Sequence, residues 1–344
     1  MSVREALHIA VEGRDLTRAQ AAAAVEEILS GAAPATQIAA LLVALRMKGE
    51  TAEEITGAAQ ALRARAAAVH VSLDRLIDTC GTGGDGAGTF NISTCAAFVA
   101  AAGGARVAKH GNRAVSSKCG SADVLVALGA ELELTPEGVA ACIEGCGVGF
   151  LFAPRHHAAM RHAAPIRQEL GMRTLFNLLG PLSNPAGARR QLMGVYAAKL
   201  VPVIARTLAE LGAERAMVVH GGGLDEISPA GPTTAAIVDR GSVRSMELTP
   251  EMFGLARWSG EGIDALRGGD AAENARHLRG VLQREEGARR AAVLLNAAAA
   301  FWAAGVVDDL AEGARLAEWA IDSGAALARL DGFLAATRAQ KARP

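Results

Sequence analysis

Apolar residues recur at helical spacing in the first part of the chain. Val25, Ile28 and Leu29, then Ile38, Leu41, Leu42 and Leu45, follow the three- and four-residue intervals that lay one apolar stripe along a helix. Thr17 with Gln20 and Thr51 with Glu54 stand at capping-box spacing, in which a hydroxyl at the helix start and a side chain three residues later satisfy free backbone N–H groups. Residues 1 to about 70 read as wholly helical. Three short helices, each with one apolar face, would make a small bundle or half of a dimer interface.

From about residue 73 the pattern becomes strand, loop, helix. LDRLID precedes a glycine-rich loop, ISTCAAFVAAAGG follows it as a helix, and ARVAKHG is a short strand. Ser121 to Leu128 reads as a helix beginning at a polar cap, and Thr135-Pro136 puts a cap residue before proline at the first helical position. GVGFLFA at 147–153 is a strand, VPVIARTLAELG a helix, and ERAMVVHGGG a strand ending in a glycine turn. TTAAIVDRGSVRSMEL folds as a hairpin around Asp239-Arg240-Gly241, and several helices run from Ala271 to the end. The alternation predicts an α/β fold with a mostly parallel central sheet flanked by helices. A small N-terminal helical bundle domain, residues 1–72, joined by a helical segment near 165–185, would precede a larger α/β domain, residues 73–344.

Composition sharpens this picture. A chain of 344 residues can bury a core in one large or two modest domains without a disulfide framework. Aromatic residues are only 3% of it and alanine is abundant, which favours closely packed helices. The formal net charge of −1 at pH 7 gives no bulk electrostatic reason to expect a nucleic-acid or membrane partner. The longest apolar stretch, Val293 to Val307, is too short to span a bilayer and contains Asn296, so it reads as a buried helix. Cys80, Cys95, Cys119, Cys142 and Cys146 are odd in number and form no C-x-x-C pair, and the start MSVREALHIAVEGRDL carries charges where a secretion signal needs an apolar centre. A cytoplasmic location is expected.

The segment DTCGTGGDGAGTFNISTCAAF, residues 78–98, is dense in glycine (Gly81, Gly83, Gly84, Gly86, Gly88) and then turns small and apolar. A glycine loop between a strand and a helix offers unhindered N–H groups at the positive end of a helix dipole, which is a phosphate site. Gly81, Gly83 and Gly86 satisfy G-x-G-x-x-G, but about twenty residues on, where a dinucleotide fold needs an acidic group for the ribose, stand Arg106, Lys109 and His110. No Gly-Lys-Ser/Thr closes the loop as a Walker motif would. Asn91 and Ser93 are placed to cap the following helix, and capping would still aim them at the same anion.

A second donor-rich loop, KHGNRAVSSKCGSAD at 109–123, carries Lys109, His110, Asn112, Arg113, Ser116, Ser117 and Lys118, two of the chain's five lysines among them. GTGGD, N-I-S-T and KHGNR together, with APIRQELGMRTLFNLLGPLSNPA at 164–186 and HGGGLDEIS at 220–228 in the same order, resemble the anthranilate phosphoribosyltransferase family of tryptophan biosynthesis. The resemblance runs from about residue 5 to 340. HGGG also matches a lipase oxyanion-hole pattern, but the chain has no G-x-S-x-G nucleophile elbow.

That resemblance implies a helical domain hinged to an α/β domain with the active site in the cleft between them, a homodimer formed through the helical domain, and association with anthranilate synthase as a further partner. It implies transfer of the phosphoribosyl group of 5-phosphoribosyl 1-diphosphate (PRPP) to the amine of anthranilate, with Mg²⁺ as cofactor. By the same resemblance PRPP would meet Gly81, Gly84, Asp85, Thr89, Asn91, Ile92, Ser93, Thr94, Lys109, His110, Gly111, Asn112, Arg113, Ser116, Ser117 and Ser121. Ser121 reads equally well as a helix cap. Anthranilate would meet Gly81, Asn112 and Arg167, whose planar fork suits a benzoate carboxylate, and Mg²⁺ would meet Ser93, Asp225 and Glu226. His110, His157 and Met160 fall where the family lines its substrate channel. No acid–base catalyst is assigned, because a neutral aromatic amine needs no strong base. Ala158 stands where the family often has proline, and Cys119 where serine is frequent. The competing readings are a pyrimidine nucleoside phosphorylase of the same fold, which would want a nucleobase signature in place of KHGNR, and a non-enzymatic nucleic-acid-binding relative, which would show a basic excess.

Overall fold

The computed structural model of the chain describes residues 1–114, 118–258 and 262–341. Four helices, one more than the apolar spacing marks, build the N-terminal part: α1 (Val3–Val11), α2 (Arg18–Ser30), α3 (Ala35–Lys48) and α4 (Ala52–Ala64). The added helix, α1, starts at its own capping box of Ser2 and Glu5. Both expected boxes form at Thr17 and Thr51. Glu54 of the second box is fully buried, and its carboxylate also accepts from Leu16 N at 2.9 Å and Lys48 Nζ at 3.0 Å. A local cap is thereby turned into a cross-brace between α4 and the α1–α2 connection.

The remainder alternates as expected. After β1 (Leu76–Gly81) come α5 (Ile92–Ala102), β2 (Arg106–Gly111), α6 (Ser121–Ala127), α7 (Pro136–Cys146) and β3 (Val148–Phe152). Three short helices, α8 (Ala153–His156), α9 (Ala164–Leu170) and α10 (Leu175–Leu179), lead to β4 (Arg190–Gly194), α11 (Leu200–Glu210) and β5 (Arg215–Gly221). The hairpin of β6 (Thr233–Asp239) and β7 (Ser242–Leu248) precedes α12 (Ala271–Leu282), α13 (Ala288–Ala304), α14 (Leu310–Asp322) and α15 (Ala325–Lys341). Arg240 at φ 47° and Gly241 at φ 83° make the two-residue turn, since left-handed residues match the twist of the flanking strands.

The seven strands form one sheet in the order β3-β2-β1-β4-β5-β6-β7, parallel through β5 and antiparallel at the hairpin. Strand β4 is the central strand that the sequence pattern does not reveal. Its five residues, RQLMG, begin with two polar ones, and buried Gln191 is satisfied by Pro181 O at 2.7 Å. Side chains alternate across the sheet as the pleat dictates. Leu192, Met217, Ala235 and Ile237 join the core beneath α5 and α13, while Met193, Ala216, Val218, Ala236 and Val238 join the core beneath α11.

That second core continues into the bundle, through Ile28, Leu41, Ile55 and Leu62, and into Leu175 and Leu179 of α10. Segments 164–170 and 175–179 thus pack with the N-terminal helices although they lie far along the chain. All five cysteines are buried, and none of them is in a disulfide. Among the described residues no helix is long and apolar enough to cross a membrane.

The tightest helix crossing rests on Gly57 in the middle of α4, where an added Cβ would overlap the Arg18 carbonyl of α2. Alanine gains about 1 kcal/mol over glycine in a helix interior, but overpacking against backbone costs about 1–3 kcal/mol. Gly57→Ala is therefore expected to lower the urea midpoint. A raised midpoint would show that this crossing has room.

Candidate active site

The sheet changes direction of winding between β1 and β4. The crossovers from β1 through α5 and from β4 through α11 lie on opposite faces, and the loops that leave the two strand ends diverge to open a crevice. Gly81 and Gly194, the last residues of these strands, are paired in register at its floor. Asp225 lies across both: a Cβ at Gly81 would overlap its carboxylate, and one at Gly194 its backbone. These two glycines are needed by Asp225, a partner that lies 144 positions from one of them in sequence and that no local pattern announces.

The other loop glycines answer a different demand. Gly83, Gly84, Gly86 and Gly88 all have φ between 63° and 82°, a left-handed backbone that side chains with a Cβ adopt at a cost. The loop N–H groups face carboxylates in this structure: Gly83 N donates to Asp225 Oδ2 at 2.7 Å, Ala87 N to Asp85 Oδ1 at 3.0 Å, and Ser93 N at the start of α5 to Glu226 Oε1 at 3.0 Å. The loop N–H groups thus meet acceptor oxygens, with the chain's own acids in the place an anion would take. Asn91 does not cap α5 with its side chain. It accepts from Asn274 Nδ2 at 2.9 Å and donates to Cys119 O at 3.4 Å, tying α12 to both loops. Ile92 points into the core and its N–H donates to Phe90 O at 2.8 Å, Thr94 is buried with an unpartnered hydroxyl, and Thr89 bridges to Arg267.

Below the loop Lys109 is buried on β2, with Nζ donating to Thr79 O and, at 3.3 Å, to Ser93 Oγ. Burial pulls its pKa down, while Asp78 and then Glu226 and Asp225 act to keep it charged. Asp78 is itself held by Asn184 Nδ2 at 2.7 Å and His110 N at 3.0 Å, with its pKa raised by burial to about 6. Asp225 is raised for the same reason and then by Asp85, to about 7, and Glu226 by burial and then by Asp225, to about 8. Their hydrogen bonds to loop N–H groups do not offset this crowding of negative charge, and a hard cation would. Asp225, Glu226 and the Ser93 hydroxyl therefore fit Mg²⁺ by donor type. Among the described residues no three His, Cys, Asp or Glu side chains converge into an all-protein metal cage. A site of this kind shares its cation with a substrate diphosphate.

The second loop folds back over the end of β2. Gly111 is required because a Cβ would overlap Ser121 Oγ. Ser121 is the first residue of α6 rather than its cap, which is Gly120, and its hydroxyl donates to Asn112 O at 3.4 Å. Arg113 pairs with Asp123 at 3.2 Å. Ser116 and Ser117 lie outside the described residues. His110 donates from Nδ1 to Gly180 O at 2.9 Å, since a carbonyl can only accept, and stands edge-on to His157 with ring centroids 5.1 Å apart. Arg167 is on α9 with its guanidinium 5.8 Å from the centre of the Phe176 ring, its buried Nε unpartnered and its pKa lowered by burial.

Three contributors escape the sequence reading. Asn184 organises Asp78 and Ala108 O. Asn296, seen only as a polar interruption, is fully buried on α13 and clamps both Ile227 N at 3.0 Å and Ile227 O at 3.1 Å, which fixes the turn carrying Asp225 and Glu226. Arg173 donates to Gly84 O of the glycine loop.

The architecture and the site define a class. Residues 4–66 match the helical bundle domain, and residues 73–327 the a/b domain, of a glycosyl transferase family. The chain is similar over its length to a Thermus thermophilus crystal structure, at 46% identity, a TM-score of 0.90 and coverage of 97% of this chain and 99% of that one. A Saccharomyces cerevisiae structure in complex with PRPP and Mg follows at 30% identity, TM-score 0.87, covering 98% of each. Both are anthranilate phosphoribosyltransferases. So is a Rubrobacter xylanophilus relative 54% identical over 338 residues, 98% of each chain. The chain belongs to the anthranilate phosphoribosyltransferase family.

Burial lowers the pKa of His157 from 6.5 to about 4. The unfolded chain takes up this proton below pH 6.5 while the folded chain stays neutral, so stability falls as pH drops from 6.5 towards 4. His157→Gln is expected to flatten the slope of unfolding free energy over that window by up to about 1.4 kcal/mol per pH unit. Identical slopes for variant and parent would show that His157 titrates normally in the fold.

Proposed function

We propose that this chain transfers the phosphoribosyl group of PRPP to anthranilate in tryptophan biosynthesis. The observation that carries this is the crevice between β1 and β4, where a left-handed glycine loop, a buried lysine and two half-buried carboxyl groups converge at one strand-end floor. The bond from ribose C1 to the diphosphate breaks, the amine nitrogen bonds to C1, and the nitrogen then loses a proton. The site must stabilise departing diphosphate and the positive charge developing on the ribose, and it must align two ligands.

Gly84, Asp85, Thr89, Asn91, Ser93 and Thr94 are proposed to hold PRPP, with Lys109, Asn112, Ser117 and Ser121 completing the pocket. Lys109 supplies a point charge from beneath. Mg²⁺, when bound, neutralises diphosphate charge, and Ser93, Asp225 and Glu226 would hold it. Anthranilate would sit against Gly81 and Asn112 with its carboxylate on Arg167, whose buried unpartnered Nε supports an incoming acceptor.

The division at 72/73, the cytoplasmic location, association with anthranilate synthase and a homodimer through the bundle are part of the same reading.

With purified protein, anthranilate, PRPP and Mg²⁺, anthranilate fluorescence should fall only when all three are present. PRPP binding without loss of fluorescence would move the acceptor to another class of compound. Arg167→Ala should raise KM for anthranilate roughly ten- to a hundredfold, as loss of a charged hydrogen bond does, with a smaller change for PRPP. Equal changes in both constants would remove Arg167 from the acceptor site.

A further inference from the structure

Arg173 stands in the turn between α9 and α10, yet it reaches the glycine loop. Its guanidinium lies 4.3 Å from the centre of the Tyr196 ring and its Nη1 donates to Gly84 O. Tyr196 follows β4 and is nearly buried. It is anchored from both ends: its backbone N–H donates to Thr82 Oγ1 at 3.0 Å, and its hydroxyl accepts from Arg46 Nη1 of α3 at 3.4 Å. Thr82 N in turn donates to Gly194 O at 3.0 Å. The root of the loop is therefore held by backbone, and its middle by two side chains, Asp225 on Gly83 N and Arg173, which stands on an aromatic platform, on Gly84 O.

This matters because Gly83 and Gly84 tolerate either hand of backbone, so the peptide between residues 84 and 85 has little intrinsic reason to keep one orientation. In a trans peptide the C=O and N–H point in opposite directions. Capture of Gly84 O by Arg173 consequently turns Asp85 N–H away from Arg173, and it sets where the Asp85 carboxylate begins.

We propose that Arg173, laid on Tyr196, is a positioning residue that fixes the 84–85 peptide of the glycine loop for the diphosphate of PRPP. The proposal rests on the transferase reading above. Arginine suits the task because its flat guanidinium can stack and still present an edge N–H, whereas an ammonium cannot do both.

The test compares Arg173→Lys, Arg173→Ala and Tyr196→Leu in the intact protein by steady-state kinetics, thermal melting and hydrogen exchange of peptides spanning residues 82–88. Both Arg173 variants should raise KM for PRPP roughly tenfold, leave KM for anthranilate and the melting temperature near the parent values, and speed exchange in 82–88. Tyr196→Leu should reproduce the PRPP effect in part. A parental KM for PRPP in Arg173→Lys would overturn the proposal by showing that charge alone suffices. So would parallel changes in both KM values with a lowered melting temperature, the mark of a merely structural role. If the parent protein itself fails to consume anthranilate, the transferase reading falls, and unchanged exchange in Arg173→Ala would separately refute the clamp.

Discussion

Everything at the functional end of this molecule depends on Asp225 lying directly on two glycines. Gly81 and Gly194 end neighbouring parallel strands in register, and the backbone and carboxylate of Asp225 occupy the space their side chains would fill. This contact brings a turn from the far side of β5 onto the floor of the crevice, next to the glycine loop. It also half-buries a carboxyl group, whose pKa is raised to about 7 by desolvation and then by Asp85, although Gly83 N donates to it.

The charge balance beneath the loop follows from that burial. Lys109 is pulled towards its neutral form by its surroundings and towards its charged form by Asp78, Glu226 and Asp225. The position of its amine is set by the sheet, since Thr79 O and Ser93 Oγ hold its end. Ser93 thus sits between buried Lys109 and half-buried Glu226, at the first turn of a helix, where a diphosphate with its metal would find complementary charge. Polar side chains far along the chain, Asn184 and Asn296, keep these groups in place by satisfying backbone atoms that would otherwise be buried unpaired.

Much of this was legible in the sequence, for specific reasons. Thr17, Thr51 and Thr135 announce helix starts because capping is local chemistry, and each caps as expected. Glycine-rich 81–88 announces a strand-to-helix turn because few residues tolerate its backbone. Strand β4 stayed hidden because a short strand in the middle of a sheet takes its stability from neighbours, and polar Arg190 and Gln191 conceal its apolar face. Helix α1 lay within the stretch read as helical but was not separated as a helix of its own, because its capping box precedes a segment of only nine residues.

The sequence by itself determined the alternation of elements, the two donor-rich loops and the family, because caps, turns and motifs are set by residues close together in the chain. Only the tertiary structure decided that Gly81 is shaped around Asp225, that Asn91 ties α12 to both loops instead of capping α5, and that Arg173 reaches across to Gly84. Each of these depends on where a parallel sheet brings distant strand ends together, and strand order is a property of long-range packing that no local window of residues encodes.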